Sequence, residues 1–294
     1  MAIYQTYQQI GIAEDISNLI SDVTPSDTPF YSMIKSEKVH NRVYQYQTDS
    51  LAAAGANAQV EGFTASAGTA IPTTMISGNT QILAKTFAVS ATADSIKAYG
   101  RAKETAYQLS KALKEIKKDV EFAFVGASNA GTAGNATTAR EMDSADQLID
   151  ASVTTAGGTA ALTEAMITGC HQDLYNAGGD PSILMVKPAD SLVVSGFTGA
   201  AGRSREFNDG NTTLTSVVNL LVSPFGELKV VLNRHQMTTH AFLLDPTMWR
   251  TATLRPFTRT LLAKTGDSDT HMVVGELGLM HKNPLGSGQI DALT

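Results

Sequence analysis

The chain has 294 residues, with 22 Lys and Arg against 28 Asp and Glu for a formal net charge of −6. Hydrophobic residues make up 43% and charged residues only 17%, below the usual ~25%, and Cys170 is the one cysteine. That balance excludes a basic nucleic-acid binder, an acidic disordered chain, an intrachain disulfide framework and a four-cysteine metal site.

The first residues hold no basic stretch followed by an apolar one, so no signal peptide is expected, and no run is long enough to span a membrane. Residues 1–38 read as an arm rather than a domain. Apolar residues at 12, 16, 19 and 20 predict a short helix from Ile12 to Ile20. Thr24-Pro25 and Thr28-Pro29 then impose extended or turn geometry, because the residue before a proline is pushed out of the α region. Phe30, Met33 and Ile34 are again helix-spaced.

Residues 39–48 read as a strand, and so do residues 79–90, with Leu83, Phe87 and Val89 on one face. Between them, residues 51–74 carry eight alanines, three glycines and a single charge, Glu61. The segment exceeds the roughly 12–15 residues of an ordinary loop and is too apolar for a solvated linker. The expectation is a long β-hairpin whose tip packs on something outside the chain. Burying about 500 Å² of apolar surface there would contribute about 12 kcal/mol before ordering costs.

Tyr99, Ala102, Ala106, Leu109, Leu113, Ile116, Val120 and Ala123 follow at spacings of three and four. This stripe predicts one helix over residues 93–127, capped by Thr92 or Ser95 and ended by Gly126, with Gly100 as a weak point. Lys111 with Glu115 and Lys117 with Glu121 are i,i+4 pairs. Such a helix would be about 50 Å long. A compact globule of this chain length has a radius of gyration near 19 Å, so the helix would cross the molecule. A coiled coil is the competing reading, although the stripe is alanine-rich and lacks clean flanking charge pairs.

Residues 127–160 read as Gly/Ala/Ser/Thr-rich loops around Leu148 and Ile149. Leu162 to Tyr175 is an amphipathic helix stopped at Gly178, Ser182 to Val186 a buried strand, and Pro188 to Val194 a short helix. Strands are expected at Val217–Val222, Leu228–Leu232 and Ala241–Leu244, making a small α/β unit. Two last strands, Trp249–Ala263 and Met272–His281, are expected to bend at Pro256 and Gly278.

Signatures of chemistry are sparse. No phosphate-binding Gly-x-x-x-x-Gly-Lys loop, nucleophile elbow or His-Glu-x-x-His motif occurs. Cys170 beside His171 reads as a buried thiol; a Cys–His nucleophile pair lacks any surrounding signature. Asp267 and Asp269 read as a charged turn, and His235 and His240 have no third ligand nearby in sequence. Arg250, Arg255 and Arg259 suit pairing with carboxylates, within or between subunits, better than phosphate contact. No cofactor, metal or catalytic residue is expected.

The order of parts, and several segments, carry a resemblance. The segments are PSDTPFYSMI (25–34), QTDSLAAAGANAQVEG (47–62), YGRAKETAYQLSKALKEIKKDVEFAFVG (99–126), FGELKVVLNRHQM with the following LLDP (225–246), LRPF (254–257), GD (266–267) and GELGLMHKNPLGSG (275–288). In this order the chain resembles the major capsid proteins of tailed bacteriophages, with the α+β Hong Kong 97-like fold. The resemblance implies an N-arm at 1–38 and an extended E-loop β-hairpin at 39–92. It implies a P-domain at 93–160 with a long spine helix at 93–127, an A-domain at 161–245, and P-domain strands at 246–294.

It further implies hexamers and pentamers that close an icosahedral head around double-stranded DNA, in a virion assembled in the bacterial cytoplasm. The expected partners are copies of the chain, a portal protein, a separate scaffolding protein and a decoration protein. A separate scaffold is expected because the capsid-like segments begin by residue 25. Candidate subunit-interface residues are Thr28, Pro29 and Phe30 in the arm, Leu51, Val60, Glu61 and Phe63 in the loop, and Arg250, Arg255 and Arg259 in the last strands. The alternatives are an encapsulin-type compartment shell, which shares the fold, and an α/β enzyme with an unrecognised site in 161–245.

Overall fold

The computed structural model describes residues 25–64, 68, 70, 72–97, 99–100, 102–197, 220–264 and 266–294. The helix expected from Ile12 to Ile20, residues 217–219 of an expected strand, and most of the arm lie outside the described residues.

A short helix α1 (Pro29–Met33) leads into strand β1 (Lys35–Lys38) and then the hairpin β2 (Val43–Thr48) and β3 (Thr74–Asn79). β2 and β3 pair antiparallel from Val43 opposite Asn79 to Thr48 opposite Thr74, so a hairpin is present, but its second arm is Thr74–Asn79 and not the expected 79–90, which pairs with residues 268–277 instead. After Thr80 the chain enters β4 (Gln81–Ser90). Leu83, Phe87 and Val89 alternate toward the body while their neighbours face solvent, as their period of two requires.

The expected single helix is divided. Helix α2 (Ala91–Ser95) is capped by the Ser90 hydroxyl, and helix α3 runs only from Glu104 to Glu121 before a π-helical turn, Phe122–Gly126. Gly100 lies between them at φ +74°, a left-handed conformation that ends helical propagation. The Asp94 carboxylate then accepts the Thr105 N–H at 3.1 Å, so a new cap starts α3. From Glu104 to Gly126 the rod spans about 35 Å rather than 50.

The face of α3 also differs from the expected stripe. Ala112, Ile116 and Val120 are buried, whereas Leu113 is 39% exposed and Tyr99 61%. The buried side packs on α1 and β4, with Lys85 paired to Asp119 at 2.9 Å, so the stripe serves the chain's own core and not a coiled coil.

Beyond α3 come α4 (Ala145–Leu148), β5 (Thr154–Ala160), α5 (Glu164–Ala177), β6 (Ile183–Val186) and α6 (Pro188–Gly196). They are followed by β7 (Leu220–Ser223), β8 (Gly226–Leu232), β9 (Ala241–Leu244), β10 (Trp249–Leu261), β11 (Ser268–His281) and β12 (Gly288–Leu293). The Thr163 hydroxyl caps α5, and Gly178 closes it at φ +88°.

Two sheets organise the body. One has the order β1-β10-β11-β4, the other β5-β12-β9-β6-β8-β7. The second is the expected α/β unit, but it recruits β5 and β12 from outside residues 161–245. The β10–β11 ladder shifts register on either side of Arg255, next to Pro256, where the bend was expected. Gly278 shifts no register; a Cβ there would stand 2.8 Å from the Tyr44 hydroxyl oxygen, so its role is clearance.

One main core joins the layers. Phe30 meets Phe124 and Trp249 edge-on, with ring centroids 5.9 and 5.5 Å apart. Trp249 stacks on His281 at 3.9 Å, and burial pushes the His281 imidazole down to about 4.

Ile116→Asp should remove the folded subunit from the soluble fraction, because it buries an unpaired charge. Leu113→Asp, on the exposed side, should leave the circular-dichroism melting temperature within a few degrees of the parent. Equal losses in the two variants would show that the wrong face of α3 has been assigned to the core.

Candidate assembly surface

The hairpin tip offers apolar side chains to solvent. Leu51 is 96% exposed, Val60 76% and Phe63 56%, and Met75 at the start of β3 is 54% exposed. Glu61, the one charge of the segment, is exposed between Val60 and Phe63. An exposed run of this kind marks an interaction surface when neighbouring apolar residues share it.

The arm behaves differently from expectation. Phe30 is 1% exposed and Thr28 8%, so both belong to the subunit's own core, and Pro29 is half-buried beside them. The reason is a buried carboxylate absent from the expected site residues. Glu121, at the end of α3, accepts the N–H of Phe30 at 2.9 Å and of Tyr31 at 2.8 Å, and the Asn233 side-chain amide at 2.6 Å.

The first N–H groups of a helix have no partner within it. Thr28 makes no side-chain cap for α1, so Glu121 supplies the acceptors from 90 residues away. Its oxygens are therefore engaged with the arm and β8's end, not with Lys117. Burial raises the Glu121 carboxyl above the ordinary carboxylate range, against the lowering effect of its three donors.

The late arginines divide. Arg255 pairs with Glu276 of β11 at 3.0 Å, Arg250 donates to the carbonyls of Thr247 and Trp249, and Arg259 lies 3.4 Å from the His271 ring nitrogens. Each contact is within the chain.

Cys170 and His171 do not form a pair. The Cys170 thiol donates toward the carbonyls of Val153 and Gln289, and burial pushes it up to about 12. His171 faces the opposite sheet edge, with Nδ1 2.8 Å from the Ser223 hydroxyl. A thiol held protonated is no nucleophile. Asp269 pairs with Lys264 at 3.4 Å across the β10–β11 turn. Among the described residues no group of three His, Cys, Asp or Glu is placed to hold a metal, and no helix is long and apolar enough to cross a membrane.

Residues 2–294 match the family described as SU10 major capsid protein. The major capsid protein of Escherichia phage Phieco32 is 32% identical over an alignment 336 positions long, gaps included, covering 97% of this chain and 96% of that protein. Among solved structures, the capsid of a native GTA particle superposes with a TM-score of 0.68 at 10% identity, covering 98% of each chain. The holo-SrpI encapsulin complex from Synechococcus elongatus superposes with a TM-score of 0.61 at 7% identity, covering 100% of this chain and 96% of that one.

The raised Glu121 carboxyl makes a signed prediction. A folded-state pKa above the unfolded value, near 4.5, means the native state holds a proton that the unfolded state has lost. The stability Glu121 contributes is then fully present below pH 4.5 and declines as pH rises through the folded value. The difference in unfolding free energy between the parent and Glu121→Gln, from urea melts of unassembled subunits, should shrink or reverse from acid to neutral pH. A difference that grows with pH would contradict the assignment.

Proposed function

The chain belongs to the SU10 major capsid protein family, and from that membership we propose how its surfaces build a shell. It is the major capsid protein of a tailed phage, it has the Hong Kong 97-type fold, and many copies of it form the capsid of the virion. The likeness to the encapsulin is one of fold alone.

In the proposed arrangement β2, β3 and their tip are the E-loop, and α3 with its π turn is the spine helix. The β1-β10-β11-β4 sheet belongs to the P-domain, and the β5-to-β7 sheet is the body of the A-domain. Copies gather into hexamers and pentamers, and the tip of each lies on the next. Leu51, Val60 and Phe63 supply the apolar contact and Glu61 a single polar one. The observation that carries this reading is the exposure of those three side chains beyond the open end of the β2–β3 ladder.

Association costs translational and rotational freedom, so one small contact is weak. A closed symmetric shell repeats the contact in every copy, and no copy has an unmatched edge. Arg250, Arg255 and Arg259 contribute by stiffening β10. Enclosed double-stranded DNA, a portal, a separate scaffolding protein, a decoration protein and assembly in the bacterial cytoplasm complete the proposal. An enzyme reading of residues 161–245 has no support from Cys170 and His171.

Deletion of residues 53–72 should leave a soluble subunit that melts cooperatively but forms no closed particles, as seen by negative-stain microscopy and sedimentation. Normal shells from the deleted chain would overturn the role given to the tip.

A further inference from the structure

The chain passes from the hairpin into the body sheet through one residue. β3 ends at Asn79 and β4 begins at Gln81, so Thr80 is the entire connection on that side. It is fully buried. Its N–H donates to the Arg42 carbonyl at 2.9 Å, closing the ladder at the hairpin's foot. Its hydroxyl donates to Glu276 at 2.9 Å, with the Arg42 carbonyl as a second acceptor at 3.1 Å. Its carbonyl accepts from Arg140 Nε. Every polar group of the hinge residue is thus held.

Glu276 is the centre of this arrangement. It is 5% exposed on β11, and its two oxygens receive Arg140 and Arg255 as well as the Thr80 hydroxyl. Three separate parts of the chain therefore converge on the hinge: the loop before α4, β10 and β11. A buried carboxylate with two guanidinium partners is rigid, because release of any partner strands a charge.

A second contact fixes the hairpin's rotation. The Tyr44 ring of β2 is seated over two glycines, Gly78 opposite it on β3 and Gly278 on β11. A Cβ at either glycine would come within 2.8 Å of a Tyr44 atom, and the Tyr44 hydroxyl donates to the Leu279 carbonyl at 2.5 Å. Val39, Tyr44, Ala252 and Met280 form a small cluster of their own, apart from the main core, at this foot.

We propose that the Thr80–Glu276–Arg140 clamp, with Tyr44 as its seat, is a positioning device. It sets the direction in which the apolar tip leaves the subunit and so decides whether the tip reaches a neighbouring copy. This rests on the reading of the tip as an assembly contact. In this proposal the hinge residues act through the hairpin they aim.

The test measures direction apart from assembly. Nitroxide labels at Gln45→Cys on the hairpin and Ser110→Cys on α3 report its angle by pulsed electron paramagnetic resonance in unassembled full-length subunits. Both positions are exposed, while buried Cys170 stays unlabelled. The parent should give one narrow distance distribution. Glu276→Gln and Thr80→Val should each widen it to about twice its width, as local opening of the hinge, and should reduce closed particles. Thr80→Ser, which keeps the hydroxyl, should restore both.

Thr80→Val carries the test if Glu276→Gln does not fold. Unchanged distributions in these variants would overturn the clamp, whatever happens to assembly. Widened distributions with normal shells would overturn the claim that direction matters. Normal shells after deletion of 53–72 would instead remove the reading beneath both.

Discussion

Apolar surface that the described residues leave exposed governs how this subunit is built. The tip around Leu51, Val60 and Phe63 sits on a six-pair antiparallel ladder. Among the described residues no element reaches over it. Water disfavours such surface at about 25 cal/mol per Å², and in the proposed arrangement a second copy covers it. The low charge of the chain follows from the same requirement, since a charge carried into an interface core must find a partner there.

Holding that surface outward demands a stiff body, and the body is stiffened by buried carboxylates as well as by hydrocarbon. Glu121 joins the arm to the end of α3 and to Asn233, close to the Phe30–Phe124–Trp249 cluster. Glu276 gathers two arginines and Thr80 at the hairpin's foot. Both bridge segments far apart in sequence. Such groups are weak evidence for stability, since desolvation opposes the attraction. They do favour one geometry, which a subunit that must match many identical neighbours requires.

Local patterns were readable in the sequence. The alternation of Leu83, Phe87 and Val89 marked β4, Gly178 marked the end of α5, and the unbroken apolar runs marked β6 and β9. Those signals lie within a few residues of the element they specify. The break between α2 and α3 was less visible, because Gly100 reads as a tolerated weak point until its left-handed conformation is known. β5 and β12 were missed altogether. Their sequences look like loops, yet a Cβ at Gly157 would press on the Asp291 carbonyl and one at Gly288 on the Cys170 sulfur. Glycine there permits close sheet packing rather than a turn. Glu121 looked like the partner of Lys117, because the donors it serves lie 90 residues away. One signal was present: Phe124 and Val125, three and four positions on, are the apolar neighbours of a side chain turned inward.

Radical footprinting of the same chain before and after assembly tests the central claim most directly. Oxidation would be read by mass spectrometry at Phe63 and Met75, both more than half exposed in the free subunit, with Tyr175, also outside the core, as a second site for comparison. The account predicts heavy labelling of Phe63 and Met75 in unassembled subunits and strong protection in closed particles. Equal labelling in the two states would mean that the tip stays in water within the shell, and the constraint on which this account rests would be gone.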